Sequence, residues 1–122
     1  MIITVAGATG NSGGATLSKL SQGGKCDEIR AMVRDPEKDN AKALLSNDKV
    51  TLVRGDFQYM ESLTMAVKGA QRAFLVSTAG TEQQSENEIN FIKACQAEGV
   101  EFVVRISTCN PLIALDSKGV YA

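Results

Sequence analysis

Residues 2–13 of the chain read IITVAGATGNSG, and this stretch decides the fold. Ile2–Ala6 is apolar and rich in β-branched side chains, which predicts a buried β-strand. Glycines follow directly at Gly7, Gly10 and Gly13, and the segment beyond them has helical periodicity. A glycine-rich turn between a strand and a helix is the context in which a dinucleotide-binding loop is found. The stretch therefore predicts a strand, a phosphate-binding turn and a helix, in that order.

Each glycine of this turn has a predicted role. Gly7 allows the tight turn out of the strand, Gly10 lets the backbone approach a pyrophosphate, and Gly13 lets the helix lie close to the sheet. Backbone amides at the helix N-terminus, aided by the helix dipole, would then hold the phosphates. Further hydrogen bonds are predicted from three side chains of the loop: Thr9, Asn11 and Ser12. The alternative is a tight strand-helix turn with no ligand. No Gly-Lys-Ser/Thr follows, which excludes a Walker A loop.

Apolar runs alternate with helical-period segments along the rest of the chain, at a spacing suited to crossover helices. The other predicted strands are Ile29–Arg34, Val50–Val53, Ala73–Val76 and Phe102–Ile106. The predicted helices bury Ala15, Leu17 and Leu20; Ala41, Leu44 and Leu45; Met60, Leu63 and Val67; and Ile89, Ile92 and Cys95. Gly23-Gly24 ends the first helix, and Asp35-Pro36 opens the second as cap and first helical residue. This alternation predicts one α/β domain over residues 1–122, a Rossmann-like, doubly wound parallel sheet with strand order 3-2-1-4-5.

The predicted topology leaves part of the sheet uncovered. Helices one and two would lie on one face and helices three and four on the other, so strands four and five lack cover on the first face. The apolar side chains expected to be exposed there are Phe74, Val76, Phe102 and Val104. Strand five would also be an open edge. We therefore expect either the N-terminal part of a longer polypeptide, with a C-terminal lobe missing, or a homodimer formed through this surface.

Composition excludes several classes of function. The 122 residues carry 13 Lys plus Arg against 14 Asp plus Glu, a net charge of -1 without a basic block, which disfavours nucleic acid as a partner. No apolar stretch is long enough to predict a membrane span. The chain has no histidine and three cysteines without a Cys-x-x-Cys pair, so neither a Ser-His-Asp triad nor a metal site is expected. Cysteine usage and the absence of a targeting segment favour the cytoplasm.

Cys109 is interpreted as an inert thiol or, alternatively, a redox-sensitive one. The polar stretch Thr81–Glu88 is interpreted as a solvated helix start or, alternatively, a partner surface.

The end of the second predicted strand reads Val33-Arg34-Asp35-Pro36. In dinucleotide-binding folds this position chooses between the ribose 2′-hydroxyl of NAD(H) and the 2′-phosphate of NADP(H). The planar fork of donors on Arg34 suits a phosphate, with Lys38 as a second contact, so NADP(H) is favoured over NAD(H). The alternative is a solvated arginine whose neighbour Asp35 caps a helix and faces away.

Four motifs together resemble the NmrA-like family of atypical short-chain dehydrogenases/reductases. They are Gly7-Ala8-Thr9-Gly10-Asn11-Ser12-Gly13, Val33-Arg34-Asp35-Pro36, Gly55-Asp56-Phe57 and Arg105-Ile106-Ser107-Thr108. The resemblance implies that Asp56 and Phe57 flank the adenine, as hydrogen-bond acceptor and packing face. It also implies that Ser77, Thr78 and Ala79 line the cofactor path.

Reductases of this superfamily use a tyrosine acid, a lysine shortly after it, and a Ser or Thr that polarises the carbonyl. Thr108 and Tyr121 stand at a separation used in that motif, but the position of the lysine falls beyond residue 122. The resemblance implies an NADP(H)-binding domain of an oxidoreductase that transfers hydride to a small carbonyl or quinone-type acceptor. The alternatives are a non-catalytic NADPH sensor with a regulatory protein partner, and a truncated product with no independent role.

Overall fold

The computed structural model describes residues 1–9, 11–24, 26–75 and 84–105, without the side chains of residues 11, 12 and 84. Five strands form one parallel sheet in the order β3-β2-β1-β4-β5, which confirms the predicted topology. The strands are β1 (Ile2–Ala6), β2 (Glu28–Val33), β3 (Val50–Arg54), β4 (Arg72–Leu75) and β5 (Phe102–Arg105).

The central strand β1 pairs with both β2 and β4, so the carboxyl ends of three strands are aligned. Ala6 at the end of β1 lies opposite Met32 of β2 and Leu75 of β4. On the far side, Val33 of β2 lies opposite Arg54 of β3. The segments that follow β1, β2 and β3 therefore emerge along one edge of the sheet.

Four helices and a single 3₁₀ turn connect the strands. They are α1 (Asn11–Gln22), α2 (Asp39–Lys42) continued by the turn Ala43–Ser46, α3 (Met60–Val67) and α4 (Gln84–Ala97). Leu17 of α1 and Leu44 of the 3₁₀ turn pack with Ile3 and Val5 on one face of the sheet. Side chains of α3 and α4 pack on the opposite face. The predicted assignment of helices to faces is confirmed, as is the end of α1 before Gly23 and Gly24.

The buried stripe predicted for each helix is correct only in part. Leu17, Ala41, Leu63, Val67 and Cys95 are buried as predicted, and Leu20, Leu44 and Ile92 are half-buried. The prediction is wrong for Ala15, Leu45, Met60 and Ile89, which are exposed. Met60 begins α3, and Leu45 lies in the 3₁₀ turn, where a tighter winding turns it away from the sheet.

The error in α4 follows from its periodicity. A helix turns about 100° per residue, so Ile89 and Cys95 point about 120° apart and cannot both face the sheet. The buried side of α4 instead carries Glu88, Phe91, Ala94 and Cys95. The polar stretch Thr81–Glu88 is therefore not solvated throughout. Ser85 and Glu86 are exposed, whereas Glu88 is 5% exposed, and residues 81–83 lie outside the described part of the chain.

The segment after β2 differs from the predicted helix start. Asp35 does not cap α2, which begins at Asp39 with Lys38 before it. The Asp35 carboxylate instead accepts a hydrogen bond from the backbone N–H of Glu37 at 3.0 Å. The backbone carbonyl of Asp35 accepts one from the N–H of Lys38 at 3.3 Å. An aspartate can stabilise such a turn as readily as a helix start. The turn brings Lys38 back towards the end of β2.

A buried hydroxyl in β1 anchors helix α3. The side chain of Thr4 is fully buried, and its Oγ1 donates a hydrogen bond to the carbonyl of Ala66 at 2.8 Å. Arg30 of β2 donates to the carbonyls of Ala66 and Lys68. These bonds satisfy carbonyls that the end of a helix leaves unpaired, and they fix α3 against β1 and β2.

The uncovered apolar surface is present where it was predicted. Phe102 and Val104 of β5 are 59% and 44% exposed, and Phe74 is half-buried beside them. Val76 lies outside the described residues. Within those residues β5 forms one edge of the sheet, and no helix has the length and apolarity needed to cross a membrane.

Candidate dinucleotide site

A cavity of about 610 Å³ opens at the carboxyl edge of β1, β2 and β3. Its walls come from the turn after β1, the turn after β2, the loop after β3 and the first turns of α4. The lining residues are Gly7, Thr9, Met32, Val33, Arg34, Asp35, Lys38, Asn40, Ala41, Gly55, Asp56, Phe57, Gln58 and Asn87. A ligand in this cavity would contact four separate segments of the sequence.

The turn after β1 has the geometry expected of a phosphate-binding loop. Gly7 has a φ of 78°, in the left-handed region that favours glycine. A Cβ on Gly13 would lie 2.0 Å from the Gly7 carbonyl oxygen and 2.9 Å from the Ala8 Cα. The start of α1 therefore packs directly on the turn. The N-terminus of this 12-residue helix is therefore next to Gly7, which lines the cavity, and a helix N-terminus favours a phosphate.

The turn after β2 supplies two cations. Arg34 and Lys38 are exposed side chains that line the cavity. The described part of the chain offers neither of them an ion-pair partner, whereas Arg30, Lys42 and Arg105 are each paired. The carboxylate of Asp35 is tied to the N–H of Glu37 within the turn. Positive charge on this side of the cavity is therefore available to an anion.

The loop after β3 is held by hydrogen bonds that its backbone N–H groups donate to backbone and side-chain acceptors. The N–H of Gly55 donates to the carbonyl of Val33 at 2.9 Å, which joins the loop to β2. The N–H of Asp56 donates to Ser62 Oγ at 2.9 Å, and the N–H of Gln58 donates to Asp56 Oδ1 at 2.9 Å. We call residues 55–58 the adenine loop, after the role that the resemblance implies for Asp56 and Phe57.

Helix α4 supports the adenine loop from the other side. Asn90 Nδ2 donates to the carbonyl of Phe57 at 3.0 Å. The rings of Phe57 and Phe91 meet edge to face, with centroids 6.2 Å apart and planes at 70°. Asn87, one turn earlier, lines the cavity. Because these contacts join distant parts of the sequence, no local pattern could have indicated them.

The structure brings together five of the predicted cofactor residues, Gly7, Thr9, Arg34, Asp56 and Phe57, in the lining of one cavity. Gly13 packs against Gly7, and Asn11 and Ser12 begin α1, although their side chains are not described. The other predicted residues, Gly10, Ser77, Thr78, Ala79, Thr108 and Tyr121, lie outside the described residues, as does Cys109. Sequence reasoning missed Met32, Asn40, Gln58 and Asn87. The roles of all these residues in binding stay predictions.

The two described cysteines belong to the core. Cys26 is 4% exposed and Cys95 is 1% exposed. Burial raises the pKa of the Cys95 thiol to about 11, so this side chain is a protonated core residue, as the sequence predicted.

The residues present fit a dinucleotide. The close-packed glycine turn and the helix N-terminus suit a pyrophosphate, and the unpaired cations suit a further phosphate. The half-buried ring of Phe57 offers an apolar surface to a base, and Asp56 offers a carboxylate. A phosphate in this cavity would lie near the glycine turn at Gly7 or near the cations Arg34 and Lys38.

Comparison with known proteins agrees with this geometry. The family described as NAD(P)H-binding matches residues 7–116. The quinone oxidoreductase 2 of Escherichia coli is 30% identical over 106 residues, which make up 87% of this chain and 36% of that protein. The crystal structure of the same enzyme complexed with NADPH gives a TM-score of 0.70, covering 84% of this chain and 35% of that chain.

Two further solved structures share the fold. The Citrobacter sp. triphenylmethane reductase complexed with NADP(H) is 28% identical with a TM-score of 0.75, covering 86% of this chain and 37% of that chain. The negative transcriptional regulator NmrA in complex with NADP is 19% identical with a TM-score of 0.77, covering 92% and 35%. The chain thus spans about a third of the length of each relative.

The family match confirms the predicted binding of a nicotinamide dinucleotide in general terms. The chain therefore belongs to the NAD(P)H-binding family.

Proposed function

We propose that the chain binds NADP(H), in preference to NAD(H), as the dinucleotide-binding part of an oxidoreductase. The reaction would be hydride transfer to a quinone-type or small carbonyl acceptor. The observation that carries the cofactor preference is the pair Arg34 and Lys38, which line the cavity without an ion-pair partner among the described residues.

The preference for NADP(H) follows from the charges at the end of β2. The guanidinium of Arg34 presents a planar set of donors that matches a phosphate, and Lys38 adds a second positive charge. An NAD(H) site would place a carboxylate there to accept the ribose 2′-hydroxyl. Asp35 also lines the cavity and one of its carboxylate oxygens accepts the N–H of Glu37, but the two cations beside it outweigh its single negative charge.

The other walls of the cavity would hold the rest of the cofactor. The glycine turn and the first amides of α1 would bind the pyrophosphate, with Thr9 at the rim. Asp56 would accept a hydrogen bond from the adenine amino group, and Phe57 would pack against the ring. When bound, NADP(H) supplies the hydride chemistry, whereas this chain supplies affinity and orientation.

The proposed acceptor class rests on the relatives. Quinone oxidoreductase 2 and triphenylmethane reductase are both described by their names as reductases, and each has been crystallised with NADPH or NADP(H). Both extend well beyond the segment that this chain matches. Thr108 and Tyr121 remain the proposed carbonyl-polarising group and proton donor.

A second candidate function is cofactor sensing without turnover. The described lining of the cavity has groups suited to binding a dinucleotide and includes no tyrosine. Such a site can convert cofactor occupancy into a changed surface for a regulatory protein partner. The two candidates share the NADP(H) site and differ in whether hydride leaves the cofactor.

Calorimetric titration with NADPH and NADH tests the cofactor preference. We expect NADPH to bind about 10-fold or more tightly than NADH, since a phosphate held by charged donors contributes more than about 1.4 kcal/mol. Arg34→Ala should weaken NADPH binding by about 10-fold and change NADH binding by less than about 2-fold. Arg54→Ala is the matched control, because Arg54 is an exposed arginine at the end of the neighbouring strand that does not line the cavity. Equal losses for both cofactors in Arg34→Ala would contradict the assignment of the 2′-phosphate.

Turnover separates the two functions. NADPH oxidation in the presence of a panel of quinones and aldehydes would support the oxidoreductase. NADPH binding without oxidation, together with cofactor-dependent binding of a protein partner, would support the sensor. Failure of folded protein to bind either dinucleotide would overturn both and leave a product with no independent role.

A further inference from the structure

We infer that Asn90 of α4 is a positioning residue for the adenine end of the cofactor, an inference that rests on the proposed NADP(H) binding. Its side-chain amide donates to the main-chain carbonyl of Phe57 in the adenine loop at 3.0 Å. Asn90 itself does not line the cavity. It would therefore act on the ligand only through the loop.

The other hydrogen bonds of the loop come from within it or from Ser62, and the Phe57 carbonyl is held by α4. Ser62 holds the backbone of Asp56, accepting its N–H at 2.9 Å and donating to its carbonyl at 3.1 Å. Asp56 in turn holds the N–H of Gln58. The hydrogen bond to the Phe57 carbonyl, from the amide of Asn90, and the ring contact with Phe91 both come from α4.

Consecutive residues of α4 thus fix the two independent parts of Phe57. Asn90 holds its carbonyl and, together with the Asp56 carboxylate that accepts the Gln58 N–H, sets the orientation of the peptide plane between residues 57 and 58. Phe91 is fully buried and holds one edge of its ring at an interplanar angle of 70°. With both parts fixed, the ring presents a defined face to the cavity in the free protein. The loop is then already ordered, so ligand binding does not carry the entropic cost of ordering it.

The location of Asn90 also predicts which ligands it affects. It contacts the loop after β3, whereas Arg34 and Lys38 belong to the turn after β2. Loss of the Asn90 bond should therefore weaken every ligand that carries adenine by the same factor. The ratio of NADPH affinity to NADH affinity should stay unchanged, in contrast to the effect of Arg34→Ala.

The test compares two substitutions at Asn90 with a matched asparagine. Asn90→Ala removes the donor. Asn90→Asp keeps the volume but places a carboxylate against the carbonyl, and it serves if Asn90→Ala does not fold. The control is Asn47→Ala, since Asn47 is also half-buried and its Oδ1 accepts the N–H of Lys49 at 3.1 Å, in a turn outside the cavity.

Affinities are measured by calorimetry for NADPH, NADH and adenosine 2′,5′-bisphosphate, at a temperature where all variants are folded. We expect Asn90→Ala to bind all three about 5-fold more weakly, the effect of one lost hydrogen bond, and Asn47→Ala to bind them like the wild type. Amide hydrogen exchange without ligand gives a second readout. Exchange in residues 55–59 should become faster in the Asn90 variants and stay unchanged in Asn47→Ala.

The outcomes separate the inference from the function on which it rests. If the wild type binds none of the three ligands, the proposed function fails. If the wild type binds them and the Asn90 variants bind equally well with unchanged exchange, the positioning role of Asn90 is wrong while NADP(H) binding stands. A loss confined to NADPH and the bisphosphate would also overturn the inference, because it would place the effect at the 2′-phosphate.

Discussion

Glu88 of α4 forms an ion pair with Arg105, the last residue of β5, and the two partners differ sharply in burial. The side chain of Glu88 is 6% exposed and that of Arg105 is 51% exposed. Glu88 lies one residue after Asn87, which lines the cavity, and two before Asn90, which holds the adenine loop. The start of α4 therefore connects the adenine loop to the carboxyl end of β5.

The unequal burial of this pair predicts unequal effects of removing its members. Arg105→Met removes one charged partner of a buried carboxylate and should lower the free energy of unfolding by about 2 kcal/mol. Glu88→Gln leaves a guanidinium that water can solvate and should cost about 1 kcal/mol. Urea denaturation of both variants measures the difference. A larger loss for Glu88→Gln than for Arg105→Met would show that the pair is not stabilised in this way.

Two adjacent glycines of α1 should respond in opposite directions to the same substitution. Gly13→Ala would place a methyl group 2.0 Å from the carbonyl oxygen of Gly7, so α1 must move away from the turn. We expect Gly13→Ala to lower the free energy of unfolding by at least about 2 kcal/mol and to abolish measurable NADPH binding. The nearest atom to a Cβ on Gly14 is the Ala8 carbonyl oxygen at 3.8 Å, an ordinary contact. Gly14→Ala should therefore stabilise the helix by about 0.5–1 kcal/mol and keep NADPH binding, as thermal unfolding and calorimetry would show.

The thiol of Cys95 should be unreactive in the folded protein. With a pKa raised to about 11, only about one thousandth of it is thiolate at pH 8, and its burial blocks reagents. In a Cys109→Ser variant, Ellman's reagent should label the folded chain slowly and the urea-unfolded chain at once. Rapid labelling of the folded variant would contradict the core assignment.

The same pKa shift predicts lower stability at alkaline pH. The pKa of Cys95 is higher in the folded than in the unfolded chain, so its contribution is complete below the ordinary thiol pKa and is lost as pH rises towards 11. The decline in unfolding free energy over this range should be shallower in Cys95→Ala, measured by urea denaturation at a series of pH values.

The exposed face of β5 should cause the 122-residue chain to associate with itself. A sheet edge flanked by exposed Phe102 and Val104 offers both backbone pairing and apolar surface to a second copy. Replacing both residues with serine should shift sedimentation equilibrium towards the monomer. Met65→Ser is the control, since Met65 is 69% exposed on α3, away from β5. A wild type that is monomeric at high micromolar concentration would contradict this prediction.

Much of the fold could be predicted because it depends on patterns within short segments. β-Branched runs and helical spacings indicated all five strands and four helices, and the alternation with right-handed crossovers indicated a parallel sheet covered on both faces, whose predicted order is the one observed. The start of α2 was misplaced because the sequence Asp35-Pro36 occurs in turns as well as at helix starts. Contacts with residues outside this motif determine which of the two structures forms. An α-helix has 3.6 residues per turn, so a hydrophobic period of about 3.6 residues instead of three would have predicted that Ile89 is exposed.

The sequence predicted some residues of the cavity lining and missed others, because only some of them lie just after a strand. Gly7 and Arg34 each follow directly after a strand and Asp56 is the second residue after one, so the rule that parallel strands end at one edge brings them together. Asn87 and Asn90 reach the same region from the side of a helix that follows β4. Their place depends on how α3 and α4 pack, and the burial of Glu88 depends on an arginine from β5. Such long-range contacts leave no signature in a local pattern.

The central position of β1 has a consequence for how the sheet folds. Ile3 pairs with Ile29 on one side and with Arg72 on the other, so the second neighbour of this strand lies much farther along the chain than the first. Contacts between segments so far apart form slowly, because a long loop must close before they are gained. The turn after β1 therefore acquires its final surroundings only once β4 has joined the sheet.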